Sequence, residues 1–263
     1  MLLDWRFSEI PKPYSMFHLM WFGVLFILLI ISFLIAKNKN DTRDSYVVFF
    51  VCLFLLATEV FKQFYKYYEF GGKYQWGAFP FQLCSIPMYL GTIVFFIPNK
   101  KVKEAIYQYI AFTGVIGGTA ILLFPTVTAT YSIIMASHSM LWHVILVCLG
   151  VYLLKSREYG KHILKETFAP TIILTIVVII AIILNFTLYP YAQQVGAGFN
   201  MISLSYFQRN DPAILDMIFK LVPSPVYVLI VYLLLYLSMP FVTSITYLIR
   251  LLHSKIINEK TAH

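Results

Sequence analysis

Cys84 lies in the apolar run PFQLCSIPMYLG (80–91), and a second stretch, HSMLWH (138–143), carries His138 and His143. A thiol that a histidine deprotonates is an acyl-transfer nucleophile, and inside a membrane segment its natural substrate is a lipid ester. A cysteine alone is weak evidence, because free Cys often packs as a small hydrophobe. In apolar surroundings the thiol needs an adjacent base before it can attack. At helical spacing His138 and His143 stand about 140° apart. The stripe through His143 (Ser132, Ala136, Ser139) is small and polar, as expected of a face turned into a bundle. The stripe through His138 (Ile134, Trp142, Ile145) is bulkier and suits lipid or an aromatic packing layer. His143 therefore ranks first as base and His138 second. The angular offset argues against both histidines holding one ion, so no metal and no cofactor is expected.

Depth along the helices works against the first choice. With one span starting at Pro80 and another at Tyr131, Cys84 lies about 6 Å down and His143 about 18 Å down. His138 is the closer match in level, and both histidines stay open as bases. Gln82 and Ser85 flank the cysteine. Asn185 and Asn200 are suited to orienting a base or holding a lipid carbonyl, and Trp76 belongs to an aromatic connection near the same end. Gln82, Asn200, Asn185 and Trp76 make up the expected substrate side. Glu59, with Lys62 and Gln63 at helical spacing, predicts an internal ion pair. No phosphate-binding glycine loop and no G-x-S-x-G occurs, so ATP hydrolysis is not encoded.

The elements that must position these residues are membrane helices. Of the 263 residues 60% are hydrophobic and 12% charged, which excludes an ordinary soluble domain. Runs of about 20 apolar residues, the length that crosses a hydrocarbon core, occur at 16–36, 46–65, 80–98, 104–124, 131–154, 168–188 and 224–249. The expected fold is all-α: a polytopic membrane protein with seven transmembrane helices in one bundle, forming a single domain over 1–263. Thirteen of the twenty basic residues follow alternate spans. The positive-inside rule then places the N-terminus outside and the C-terminus inside. The net charge of +8 reports topology, and no nucleic-acid partner is expected. Cys52, Cys84 and Cys148 all fall in predicted spans, and an odd number gives no disulfide framework. Gly114 and Gly118 form a small-xxx-small pair for close helix approach. Pro87 and Pro240 predict kinks. The long connection 189–223 reads equally as a plug or a lid.

Three blocks carry a family resemblance. WGAFPFQLCSIPMYLG places Cys84 on a leucine-cysteine block. LWHVILVCLGVY relates His143 to Tyr152 nine residues on, with Val144 where a glycine is usual. FNMISLSYFQRNDPAILDMIFKLVPSPVY supplies Asn200, Pro212, Leu215, Asp216, Pro225 and Tyr227. Together they resemble the YwaF-type bacterial integral membrane proteins, which are similar to transmembrane protein 164. The resemblance implies a cysteine-dependent acyltransferase acting on glycerophospholipids. The expected function is therefore a lipid acyltransferase or acyl hydrolase, with membrane phospholipid or lysophospholipid as partner, in a bacterial plasma membrane. A non-catalytic transport component or partner subunit is the alternative.

Overall fold

Asn40, Asn99 and Ser132 each end an irregular stretch with a side-chain oxygen, and each caps a long helix. Asn40 accepts from Arg43 N, Asn99 from Lys101 N and Val102 N, and Ser132 from Met135 N. Such caps satisfy amides that a helix start leaves unpaired. The computed structural model describes residues 5–37, 39–125, 130–197, 199–204 and 213–261. Its helices are α1 (Met16–Ile35), α2 (Asp41–Glu69), α3 (Ile86–Val94), α4 (Lys100–Leu123), α5 (Ile133–Ser156), α6 (Ile163–Gln194), α7 (Ala213–Leu221) and α8 (Ser224–Thr261). No strand occurs among the described residues. Pro212 of the third sequence block lies outside them.

Six helices, α1, α2, α4, α5, α6 and α8, are long and apolar enough to cross a membrane. The span expected at 80–98 is instead the nine-residue α3, which at 1.5 Å per residue reaches only about 14 Å. The reason is Pro87. It sits in the first turn of α3, where its missing N–H costs nothing, so it starts a helix rather than kinking one. Residues 80–85 before it form turns, closed by Phe81 N to Phe79 O at 2.9 Å and Ser85 N to Gln82 O at 2.8 Å.

The chain nevertheless returns across the bundle between residues 70 and 99. Arg157, just past α5, binds Asp41 at the start of α2 and Glu104 at the start of α4, so these two helices begin at the same end. Lys155 Nζ bonds Phe33 O near the end of α1, and Arg250 bonds Leu154 O. The basic residues that follow alternate spans thus gather at one end of the bundle. Trp5 and Phe7 pair with residues 131–133 at the other.

The most extensive helix pair is α4 with α5, and glycines make it possible. A Cβ on Gly114 would stand 2.7 Å from Leu146 O, and one on Gly118 would stand 2.8 Å from His143 O. The small-xxx-small pair therefore seats α4 directly on the α5 backbone beside His143. Within 189–223, α6 runs on to Gln194, and Phe199, Met201 and Leu204 are fully buried in the core. The described 199–204 stretch is packed into the core, and residues 205–212 of the connection lie outside the described residues.

Candidate functional site

Residues 80–85 are turns rather than helix, so Cys84 lies in an irregular segment just ahead of α3. The indole Nε1–H of Trp142 donates to Cys84 O at 3.1 Å, and Cys84 packs on the buried cluster of Leu55, Met88, Trp142 and Leu146. The bond and the shared packing set Cys84 beside the stretch of α5 that carries Trp142 and Leu146. A cavity of about 420 Å3 opens here, lined by Cys84, His138, Ser139, His143, Glu59 and Lys62 among others. It lies at the end of the bundle away from the basic cluster, between the last turns of α2 and the first of α5.

His143 is buried, and its Nδ1 lies 2.7 Å from Ser139 O. A carbonyl only accepts, so Nδ1 carries the hydrogen and Nε2 carries the lone pair. That Nε2 is buried and has no hydrogen-bond partner among the described residues. His138 has the opposite arrangement: its Nε2 donates to Thr58 O at 3.1 Å, and its ring lies tilted against Trp142 at 5.6 Å. The His138 stripe thus faces the cavity and an aromatic layer. Among the described residues no hydrogen bond joins Cys84 Sγ to either ring.

Glu59 is 3% exposed and closes the expected ion pair, with Lys62 Nζ at 2.8 Å and Gln63 Nε2 at 2.6 Å. Gln63 also donates to Ala78 O at 2.7 Å, tying α2 to the cavity wall. On the expected substrate side, only Gln82 lines the cavity. The amide of Gln82 donates to Asn200 O at 3.0 Å and accepts from Ile202 N at 2.9 Å. The amide of Asn185 donates to Met201 O at 3.1 Å and accepts from Met201 N at 2.7 Å. Trp76 meets Phe199 edge-on at 6.1 Å. The structure gathers these four residues around 199–204, with both amide side chains committed to its backbone.

Sequence reasoning missed two groups. Trp142 tethers the cysteine, and the available signal was an indole N–H in an apolar span, which must find an acceptor. Tyr109 of α4 has a fully buried hydroxyl with no hydrogen-bond partner, within electrostatic reach of Cys84. A tyrosine in a mixed helix gives no such signal.

The opposite end carries a polar lock. The Arg157 side chain, 3% exposed, meets Asp41 at 2.6 Å, Asp44 at 3.2 Å and Glu104. Asp44 also accepts from Tyr152 Oη at 2.7 Å and pairs with Arg43 at 3.0 Å. Burial alone would lower the Arg157 pKa, but the bonds to Glu104 and Asp41 outweigh it and hold the guanidinium above its ordinary value.

The sequence profile of the TMEM164 family matches residues 13–243. The chain belongs to the TMEM164 family. No curated protein and no solved structure matches it. The matched stretch contains the residues that line the Cys84 cavity and those of the Arg157 lock. Membership and the six long apolar helices make this an integral, multi-pass membrane protein.

Proposed function

We propose that the protein is a membrane-embedded lipid acyltransferase or acyl hydrolase that works through an acyl-Cys84 intermediate. One observation carries the reading: His143, whose buried Nε2 has no hydrogen-bond partner among the described residues and whose Nδ1–H is engaged by Ser139 O, is a lining residue of the same cavity as Cys84. A buried unpaired acceptor has a desolvation cost, and a thiol proton or an acceptor hydroxyl would satisfy it.

In the reaction Nε2 takes the thiol proton, and the thiolate attacks the ester carbonyl of a glycerophospholipid. Collapse of the tetrahedral adduct breaks the ester C–O bond. The lysolipid oxygen leaves with the proton from the His143 imidazolium, and the acyl chain stays on Sγ as a thioester. A lysophospholipid hydroxyl, or water, then gives its proton to Nε2 and attacks the thioester, which restores the thiol. His138 holds the wall through Thr58 O, and Gln82 and Asn185 keep residues 200–202 in place. With the basic end facing the cytoplasm of a bacterial plasma membrane, in keeping with the positive-inside rule, the cavity opens toward the outer leaflet.

The test is mass spectrometry of purified protein incubated with phospholipid, read for an acyl adduct on Cys84. Cys84→Ala should lose the adduct and turnover, and His143→Gln should lower turnover at least about a hundredfold. Full turnover by Cys84→Ala in liposomes would end the reading.

A further inference from the structure

The end of the bundle opposite the Cys84 cavity holds a second cavity of about 570 Å3, between the first turns of α2 and α4. Lys39, Lys100, Lys101 and Lys103 stand around it, and Arg157 forms part of its wall. Two carboxylates among the lining residues, Asp41 and Glu104, are already bound by Arg157, and Glu104 also lies 3.4 Å from Lys39. Among the described residues no carboxylate pairs with Lys100, Lys101 or Lys103. The Nε–H of Arg157 is buried and has no acceptor among the described residues. The lining carries five cations against two carboxylates, so the cavity is net cationic although Asp41 also feels Lys39 and Lys100, and the positive ends of α2 and α4 add to it.

Its rim is apolar. Tyr46 and Phe95 pack at 5.2 Å, and the cluster continues to Phe50 and Phe96, which are 59% and 72% exposed. A free phosphate needs only the cations. Cations beside an exposed aromatic face match a ligand with a charged head and hydrocarbon tails.

We infer that this cavity binds the phosphate of an anionic phospholipid, at a site separate from the Cys84 cavity. The lipid phosphate sits among Lys100, Lys101 and Lys103, and its acyl chains lie over Phe50 and Phe96. The site is independent of acyl transfer and stands or falls apart from it.

The test is native mass spectrometry of the full-length protein in detergent, with phosphatidylglycerol, phosphatidylcholine and inorganic phosphate as separate probes. Wild type should retain phosphatidylglycerol in preference to phosphatidylcholine. Lys101→Gln should weaken retention about fivefold and the triple Lys100→Gln, Lys101→Gln, Lys103→Gln variant more than about tenfold. The corresponding arginine triple should bind like wild type, which also controls for folding. Lys161→Gln with Lys165→Gln, outside the cavity, should stay within about twofold. The inference is overturned if the glutamine triple binds like wild type, or if the Lys161 and Lys165 variant loses as much. It is also overturned if inorganic phosphate binds while phosphatidylglycerol does not.

Discussion

Trp142 donates its indole hydrogen to the carbonyl of Cys84 at 3.1 Å, so a residue of α5 fixes the height of a cysteine 58 positions earlier in the chain. The bond sets an irregular segment against a rigid helix one residue away from His143. Replacing Trp142 by Phe keeps a ring in the packing layer and removes the donor. The expected results are a loss of about 1–3 kcal/mol for the orphaned carbonyl and faster maleimide labelling of Cys84, read peptide by peptide. Cys52 and Cys148 are buried and should stay unlabelled in both proteins. Unchanged labelling of Cys84 would mean that the tether does not hold it.

The α4 glycines differ sharply in what surrounds them. Gly118→Ala puts a methyl 2.5 Å from Val147 Cγ2 and 2.8 Å from His143 O, whereas Gly117 has nothing within 4 Å. Gly118→Ala should cost about 1–3 kcal/mol through overpacking and lower turnover by shifting the His143 backbone. Gly117→Ala should stabilise slightly, by up to about 1 kcal/mol of helix propensity. Unfolding midpoints in detergent, measured on the two variants side by side, separate these outcomes.

The long helices, the gathering of basic residues at one end and the Gly114 and Gly118 contact were all legible from the chain, because apolar length, charge position and small-residue spacing act locally. Residues 80–98 were misread for a physical reason. Their composition is that of a membrane span, and only the placement of Pro87 in a first turn, rather than mid-helix, distinguishes a short helix from a long one. That single difference places Cys84 in a turn ahead of α3, where Trp142 of α5 reaches its carbonyl. The tautomer of His143 was partly accessible, since an intrahelical carbonyl four residues back is a standing acceptor. The work of Gln82 and Asn185 was not, because their partners lie at 200–202 and nothing in either local pattern points there.

Arg157 joins three helix ends through Asp41, Asp44 and Glu104. Arg157→Met leaves Asp44 with Arg43 and Glu104 with Lys39 as remaining cations, so the loss should fall below the about 3–5 kcal/mol of a buried pair broken from one side. Arg157→Lys keeps the charge but cannot fork between two acids, so it should recover only part of the loss. Because the folded guanidinium lies above its unfolded value, its contribution is complete below that unfolded value and persists throughout mildly alkaline pH. The wild-type advantage over Arg157→Met, read from unfolding midpoints, should therefore be the same at pH 7 and pH 9.

Gln82 and Asn185 hold one short strap from two sides. Between them they bind Asn200 O, Met201 N, Met201 O and Ile202 N, and Ile202 is kept at φ 57°, a left-handed conformation that β-branched residues avoid. Each amide relieves buried backbone groups that would otherwise cost about 1–3 kcal/mol apiece. If the two act on one strained segment, losing either lets 200–202 relax, and the second loss then costs less. Gln82→Leu and Asn185→Leu should each destabilise the fold, and the double variant should fall short of their sum by about 0.5–3 kcal/mol. Gln82→Glu, which keeps the acceptor for Ile202 N but not the donor to Asn200 O, should lie between wild type and Gln82→Leu. Strict additivity in the double-mutant cycle would show that the two amides hold separate elements, and Gln82 would then have no part in keeping 200–202 against the wall beside Cys84.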